Sequence, residues 1–236
     1  MPRVKVNGWR YLYRRAGKGP DVVMLPGAAH APVSRPLFDA LNADFRVTLY
    51  GARGGDLESF STADAADDLR GLHERLGLAK SYLVAQQESA LTALHAAVLY
   101  PDVVAGLILI EPCLPEPRID ATVKTRSGLT PRRILMIEHP LAIFCSASSP
   151  SMKLCRFLEN NLTRCKLIPV SDNPMLLAAR IHDEVRQLAG ANPALAASGE
   201  RPSRNGARSV RCRHASEAGD GHAITRWVTR LSAWGF

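Results

Sequence analysis

The 236-residue sequence contains no apolar run long enough to cross a bilayer, which excludes a helical integral membrane protein. Its opening, MPRVKVNGWRYLYRRAG, is basic but has no apolar segment of the kind a secretory leader needs. The expected compartment is therefore the cytoplasm, and no membrane partner is expected. Close cysteine pairs are also lacking. The five cysteines, Cys113, Cys145, Cys155, Cys165 and Cys212, are odd in number, and none is spaced like a metal knuckle or a redox motif. Buried free thiols are expected instead, Cys113 and Cys145 lying in apolar runs. No histidine arrangement suggests a metal, and no cofactor is expected.

The formal net charge is +8. Residues 191–236 carry seven Arg against Glu200, Glu217 and Asp220, half of that excess. Among these cations only Trp227 is interleaved, too few aromatics for a single-strand binding platform, which argues against nucleic acid as a partner.

Periodic patterning is abundant. RVKVNGWRYLY reads as a hairpin: Val4 and Val6 alternate with polar residues, and Asn7-Gly8 supplies two positive-φ turn positions. DVVMLPG reads as a buried strand, SRPLFDALNADF as a short helix with Leu37, Phe38 and Leu41 inward, and FRVTLYGARGG as a strand entering a Gly-rich loop. STADAADDLRGLHERLGL reads as a helix capped by Ser61 or Thr62, with a stripe of Ala65, Leu69, Leu72 and Leu76, stopped at Gly77. SYLVA is a strand. SALTALHAAVLYP is a helix with Leu91, Leu94, His95 and Val98 on one side. VAGLILIEPC is apolar on both faces, as a central parallel strand is. Beyond an irregular stretch, PLAIFCSA and CKLIPVSD read as strands, and SMKLCRFLENNL and PMLLAARIHDEVRQLAG as helices. Two regions follow: a domain over 1–190 and a polar, basic tail over 191–236. The tail regains an apolar stripe at Ile224, Trp227, Val228, Leu231 and Trp234, a candidate docking helix over 223–234. Repeated strand–helix units after a hairpin predict an α/β domain with a mostly parallel sheet.

From Val6 to Pro112 the order and spacing of these pieces resemble the α/β-hydrolase superfamily, LHERLGLAKSYLVA and LYPDVVAGLILIEP most of all. The resemblance implies that family's fold: a mostly parallel central sheet flanked by helices, an N-terminal antiparallel hairpin, and little or no cap. It also implies a nucleophile on a strained strand–turn–helix elbow, a His base, an acid that orients it, and an oxyanion hole.

Laid on this sequence, the elbow is Ala85-Gln86-Gln87-Glu88-Ser89, and the nucleophile position holds Gln87, an amide. Ser89 would act only if the alignment slipped by two residues. The Glu88 carboxylate would repel a developing oxyanion. Two readings of the remaining triad stand. In one, the acid position follows PLAIFCSASSP and falls at Ser148, and the base position falls at Asn173. In the other, Asp172 is the acid, SVRCRHA is the last strand, and His222 of GDGHA is the base. The pocket loop would comprise Gly27, Ala28 and His30. His95, on an apolar helix face, reads as a core histidine.

The expected function is a hydrolase-like protein without the triad reaction, a pseudoenzyme binding a small apolar or acyl-type ligand or a protein partner. The alternative is an enzyme of hydrolase or lyase type in which Glu88 or His222 activates water, with Gln87 and the Ala28 N–H positioning it. A third reading, a degraded copy, rests on the Arg/Ala/Gly/Ser bias of the tail alone.

Overall fold

The structure is a computed structural model. It describes residues 2–26, 34–51, 61–113 and 129–191. The tail from 192 onward, with its candidate docking helix, and the loop bearing Gly27, Ala28 and His30 lie outside the described residues.

Eight strands form one sheet: β1 (Arg3–Val6), β2 (Trp9–Ala16), β3 (Asp21–Met24), β4 (Arg46–Tyr50), β5 (Ser81–Gln86), β6 (Val104–Ile110), β7 (Leu141–Cys145) and β8 (Cys165–Pro169). Their spatial order is β1-β2-β4-β3-β5-β6-β7-β8. β1 and β2 pair antiparallel, as do β2 and β4, and every pairing from β4 to β8 is parallel. The hairpin turns where the sequence placed it, with Asn7 at φ 48° and Gly8 at φ 87°.

Among the described residues six helices accompany the strands: α1 (Ser34–Leu41), α2 (Thr62–Leu76), α3 (Ser89–Leu99), α4 (Pro131–Ile134), α5 (Met152–Asn161) and α6 (Pro174–Gly190). The central strands are buried on both faces, so each has two sets of partners. Leu83, Ala85, Leu107 and Leu109 pack toward Leu69, Leu72, Leu94 and Leu158 of α2, α3 and α5. Tyr82, Val84, Ile108 and Ile110 pack toward Leu37 and Phe38 of α1 and Ile181 and Val185 of α6. This two-sided burial is why β5 and β6 read as unbroken apolar runs.

Helix ends follow local chemistry. Ser61 caps α2 in a reciprocal box with Asp64, and Gly77 ends it in the left-handed conformation at φ 59°. Two expectations need correction. The fully buried small residue of α2 is Ala66, with Ala65 half-buried, because Ala66 shares its face with buried Leu69 and His73. Cys113 is exposed, because β6 ends at Ile110 and Cys113 already lies in the following loop; Cys145 and Cys155 are buried as expected.

Two polar clusters hold elements together. Asp68 accepts hydrogen bonds from Asn7 Nδ2, at 2.8 Å, and from the Tyr11 hydroxyl, seating the hairpin on α2. Gly71 permits that approach, since a Cβ there would lie 2.4 Å from Val6 Cγ1. At the start of β3, buried Asp21 accepts two 2.6 Å bonds from Arg46 and one of 3.1 Å from the Ala79 N–H, and Arg15 lies 3.5 Å away.

Candidate functional site

β5 delivers the chain to the carboxyl edge of the sheet, and the next residue reverses it into α3. That residue is Gln87, at φ 49°. A left-handed backbone disfavours a residue with a Cβ by about 1–2 kcal/mol, so the turn must be held from outside. It is held on both sides. The Gln87 N–H donates to the Ile110 carbonyl at 3.0 Å, and the Gln87 carbonyl accepts from the N–H groups of Ala90 and Cys113, each at 3.1 Å. Gln87 is itself exposed.

Ser89 locks the same turn from within. Its hydroxyl accepts from the Gln86 N–H at 2.8 Å and donates to the Gln86 carbonyl at 2.7 Å. It is buried, and its oxygen is spent on the turn. Glu88 is exposed and opens α3 in helical conformation without a side-chain cap bond.

The neighbouring strand end repeats the strain. Glu111, directly after β6, has φ 43°. Its N–H donates to the Phe144 carbonyl at 2.7 Å, and its Oε1 accepts the Ser146 N–H at 2.8 Å. Two residues later, the Cys113 N–H returns to Gln87. The structure thus brings Gln87 and Glu88 beside the Glu111 turn. Sequence reasoning missed Glu111. The one signal was a carboxylate ending an otherwise wholly apolar strand.

The ends of β7 and β8 complete the edge. After β7, half-buried Ser146 and exposed Ser148 have hydroxyl oxygens 3.5 Å apart. After β8, Asp172 is exposed, and the Asn173 Oδ1 caps α6 by accepting from Met175 at 2.9 Å and Leu176 at 3.3 Å. Ser148 and Asn173, the positions of the first triad reading, follow β7 and β8. Asp172, the acid of the second reading, follows β8, three strands along the sheet from β5. His222 and SVRCRHA lie outside the described residues, as do Gly27, Ala28 and His30.

The described histidines belong elsewhere. His73 is buried, its Nδ1 2.9 Å from the Leu69 carbonyl and its Nε2 2.8 Å from Ser81 Oγ at the amino edge of the sheet. Burial lowers its pKa below the usual imidazole value, with the Leu69 bond acting in the opposite sense. His139 contacts the Pro101 carbonyl, and His182 lies 3.0 Å from Asp44, both also toward the amino edge. His95 is buried within α3. Among the described residues no group of three His, Cys, Asp or Glu is arranged to hold a metal ion.

No family model matches the chain. Solved structures do. A haloalkane dehalogenase loop variant from Bradyrhizobium elkanii superposes with a TM-score of 0.63 at 15% identity, over 82% of this chain and 98% of that one. A mutant meta-cleavage product hydrolase from Pseudomonas fluorescens gives 0.65 at 15% identity, over 81% and 98%. An alpha/beta hydrolase from Sphaerobacter thermophilus gives 0.61 at 17% identity, over 77% and 99%. At such identities the likeness is one of fold, and the fold of this chain is that of the α/β hydrolases.

Proposed function

We propose that the chain is a binding protein built on the α/β-hydrolase fold, taking a small apolar or acyl-type ligand at the carboxyl edge of the sheet without covalent catalysis. One observation carries this reading: the residue in the left-handed elbow conformation is Gln87, and the nearby hydroxyl, Ser89, is buried and bonded twice within the turn. An amide cannot attack a carbonyl as an alkoxide does, and a hydroxyl that clamps the backbone is not presented to a substrate. A pocket outlasts the loss of its chemistry, because fold and site are separate matters. A protein partner at the same edge is a variant of this reading.

The test combines three measurements on the full chain: turnover of activated short esters, covalent labelling by a fluorophosphonate, and titration with a fluorescent acyl probe. Saturable probe binding with neither turnover nor labelling is expected. Labelling that maps to Ser89 would refute the proposal.

A second reading has its own support. Glu111 is a half-buried carboxylate beside the elbow, fixed by the Ser146 N–H, and Glu88 adds an exposed one. A positioned carboxylate can activate water with no covalent intermediate. Turnover without labelling, abolished in Glu111→Gln, Glu88→Ala or His222→Ala, would favour this reading over the first.

A further inference from the structure

The first nineteen residues after the initial Met include Arg3, Lys5, Arg10, Arg14, Arg15 and Lys18 and no acid; Asp21 is the first. The hairpin register sorts these cations. Arg3 stands opposite Leu12, and Lys5 stands opposite Arg10. Residues alternate across a strand, so Arg3, Lys5, Arg10, Leu12 and Arg14 share one face, while Val4, Val6, Tyr11 and Tyr13 share the other. The second face packs on the core beside α2. The first is exposed at every one of its five positions.

Three features of that face go beyond an ordinary solvated surface. Lys5 and Arg10 are like charges placed directly across the ladder, an arrangement that destabilises a hairpin. Among the described residues no acid forms an ion pair with Arg3, Lys5, Arg10 or Arg14; Arg14 instead lies over the Phe38 ring at 4.5 Å. A large apolar side chain sits among the cations: Leu12 is 45% exposed in the middle of the face. Charge on the sheet edge deters edge-to-edge pairing, but an exposed Leu does not serve that end.

We infer that the outer face of the β1–β2 hairpin is a peripheral docking surface for an anionic lipid membrane. Each Lys or Arg near such a surface is attracted by the headgroup charge, and the lipid interface accepts an apolar side chain such as Leu12. Leu12 decides between lipid and a nucleic-acid backbone. It gains by entering a lipid interface and has no partner against phosphates alone. A peripheral contact needs no membrane-spanning helix, and the described residues contain none. The inference does not depend on what the elbow does.

Co-sedimentation of the full chain with phosphatidylcholine vesicles, with and without phosphatidylserine, tests it. Binding is expected only with phosphatidylserine, and is expected to fall as salt rises. The pair Lys5→Gln and Arg10→Gln, made together, should weaken it roughly 25-fold. Because this pair relieves a like-charge contact, its thermal midpoint should not fall; Arg3→Gln, expected to weaken binding about 5-fold, provides an independent variant. Leu12→Ser should weaken binding with no change in salt dependence. Arg132→Gln with Arg133→Gln, exposed on α4, should leave binding as it was. No binding to anionic vesicles, binding indifferent to the hairpin variants, or equally tight binding to duplex DNA with the same losses would each overturn the proposal.

Discussion

Replacing Ser89 by Ala separates a structural hydroxyl from a catalytic one. The side chain makes two bonds, to the Gln86 N–H at 2.8 Å and to the Gln86 carbonyl at 2.7 Å. Removing it leaves a buried donor stranded at the end of β5, where Gln86 is only 6% exposed. A stranded buried polar group costs about 1–3 kcal/mol. Ala is the better helix former by up to about 0.5 kcal/mol, and Ser89 is the first residue of α3, so part of that loss is offset. The net expectation is destabilisation by about 1–2 kcal/mol. In urea, with a slope of about 1–3 kcal/mol/M, the unfolding midpoint should fall by roughly 0.3–2 M. Fluorophosphonate labelling and ester turnover should be the same for the variant and the native chain. A midpoint shift too small to resolve would mean that Ser89 does not hold the turn. Activity present in the native chain and lost in the variant would mean that the hydroxyl is a nucleophile after all.

Other perturbations reach other parts of the molecule. Asp21→Asn removes the charge that Arg46 and Arg15 share; since those arginines keep 26% and 28% exposure, water recovers some of the loss, and urea unfolding should show destabilisation of about 2–4 kcal/mol. Gln87→Gly removes the strain at φ 49° but adds chain entropy to the unfolded state, so it should be at least as stable as the native chain, whereas Gln87→Val, β-branched in the same conformation, should lose about 1 kcal/mol or more. His73 has a folded-state pKa lowered by burial from the ordinary 6.5, so the unfolded chain takes up its proton first as the pH falls. Its contribution to stability is complete above about pH 6.5 and is lost below it, toward the folded-state value; His139, also lowered by burial, acts in the same direction. Urea midpoints measured across that range should fall with pH, and the slope should flatten in His73→Gln.

Most of the architecture was legible because it follows from periodicity. Two-sided apolar runs marked the central strands, Asn7-Gly8 the hairpin, and a cap at Ser61 or Thr62 the start of α2, which the structure settles as Ser61 boxed with Asp64. The site was legible only by position. That Gln87 sits at the elbow follows from counting along SYLVAQQESA, but the use of Ser89 depends on the φ of Gln87, which folds the hydroxyl back onto Gln86. The role of Glu111 depends on a partner thirty-five residues away, the Ser146 N–H at the end of the next strand, and no local pattern announces such a bond. Cys113 was misplaced for a related reason. Its apolar neighbours belong to β6, but the strand ends before it does.

The two strained residues also constrain each other. Gln87 donates to Ile110 and accepts from Cys113, so its bonds bracket Glu111, whose own N–H and carboxylate are tied to β7. Strain at one turn is therefore supported by the strand that carries the other. A tight reversal from β5 into α3 is required by the packing of α3 on the sheet, so the left-handed backbone alone does not argue for catalysis. The choice of residue is more informative. Glycine would satisfy the same geometry without strain. A side chain at that point is exposed at the carboxyl edge, where open α/β sheets place their ligands. The amide of Gln87 offers a donor and an acceptor there, and the adjacent strand end carries the Glu111 carboxylate, bonded to the Ser146 N–H. On the proposed reading, these groups would recognise a polar group on an otherwise apolar ligand. Gln87→Gly and Gln87→Glu should therefore change the affinity for an acyl probe while leaving the fold intact.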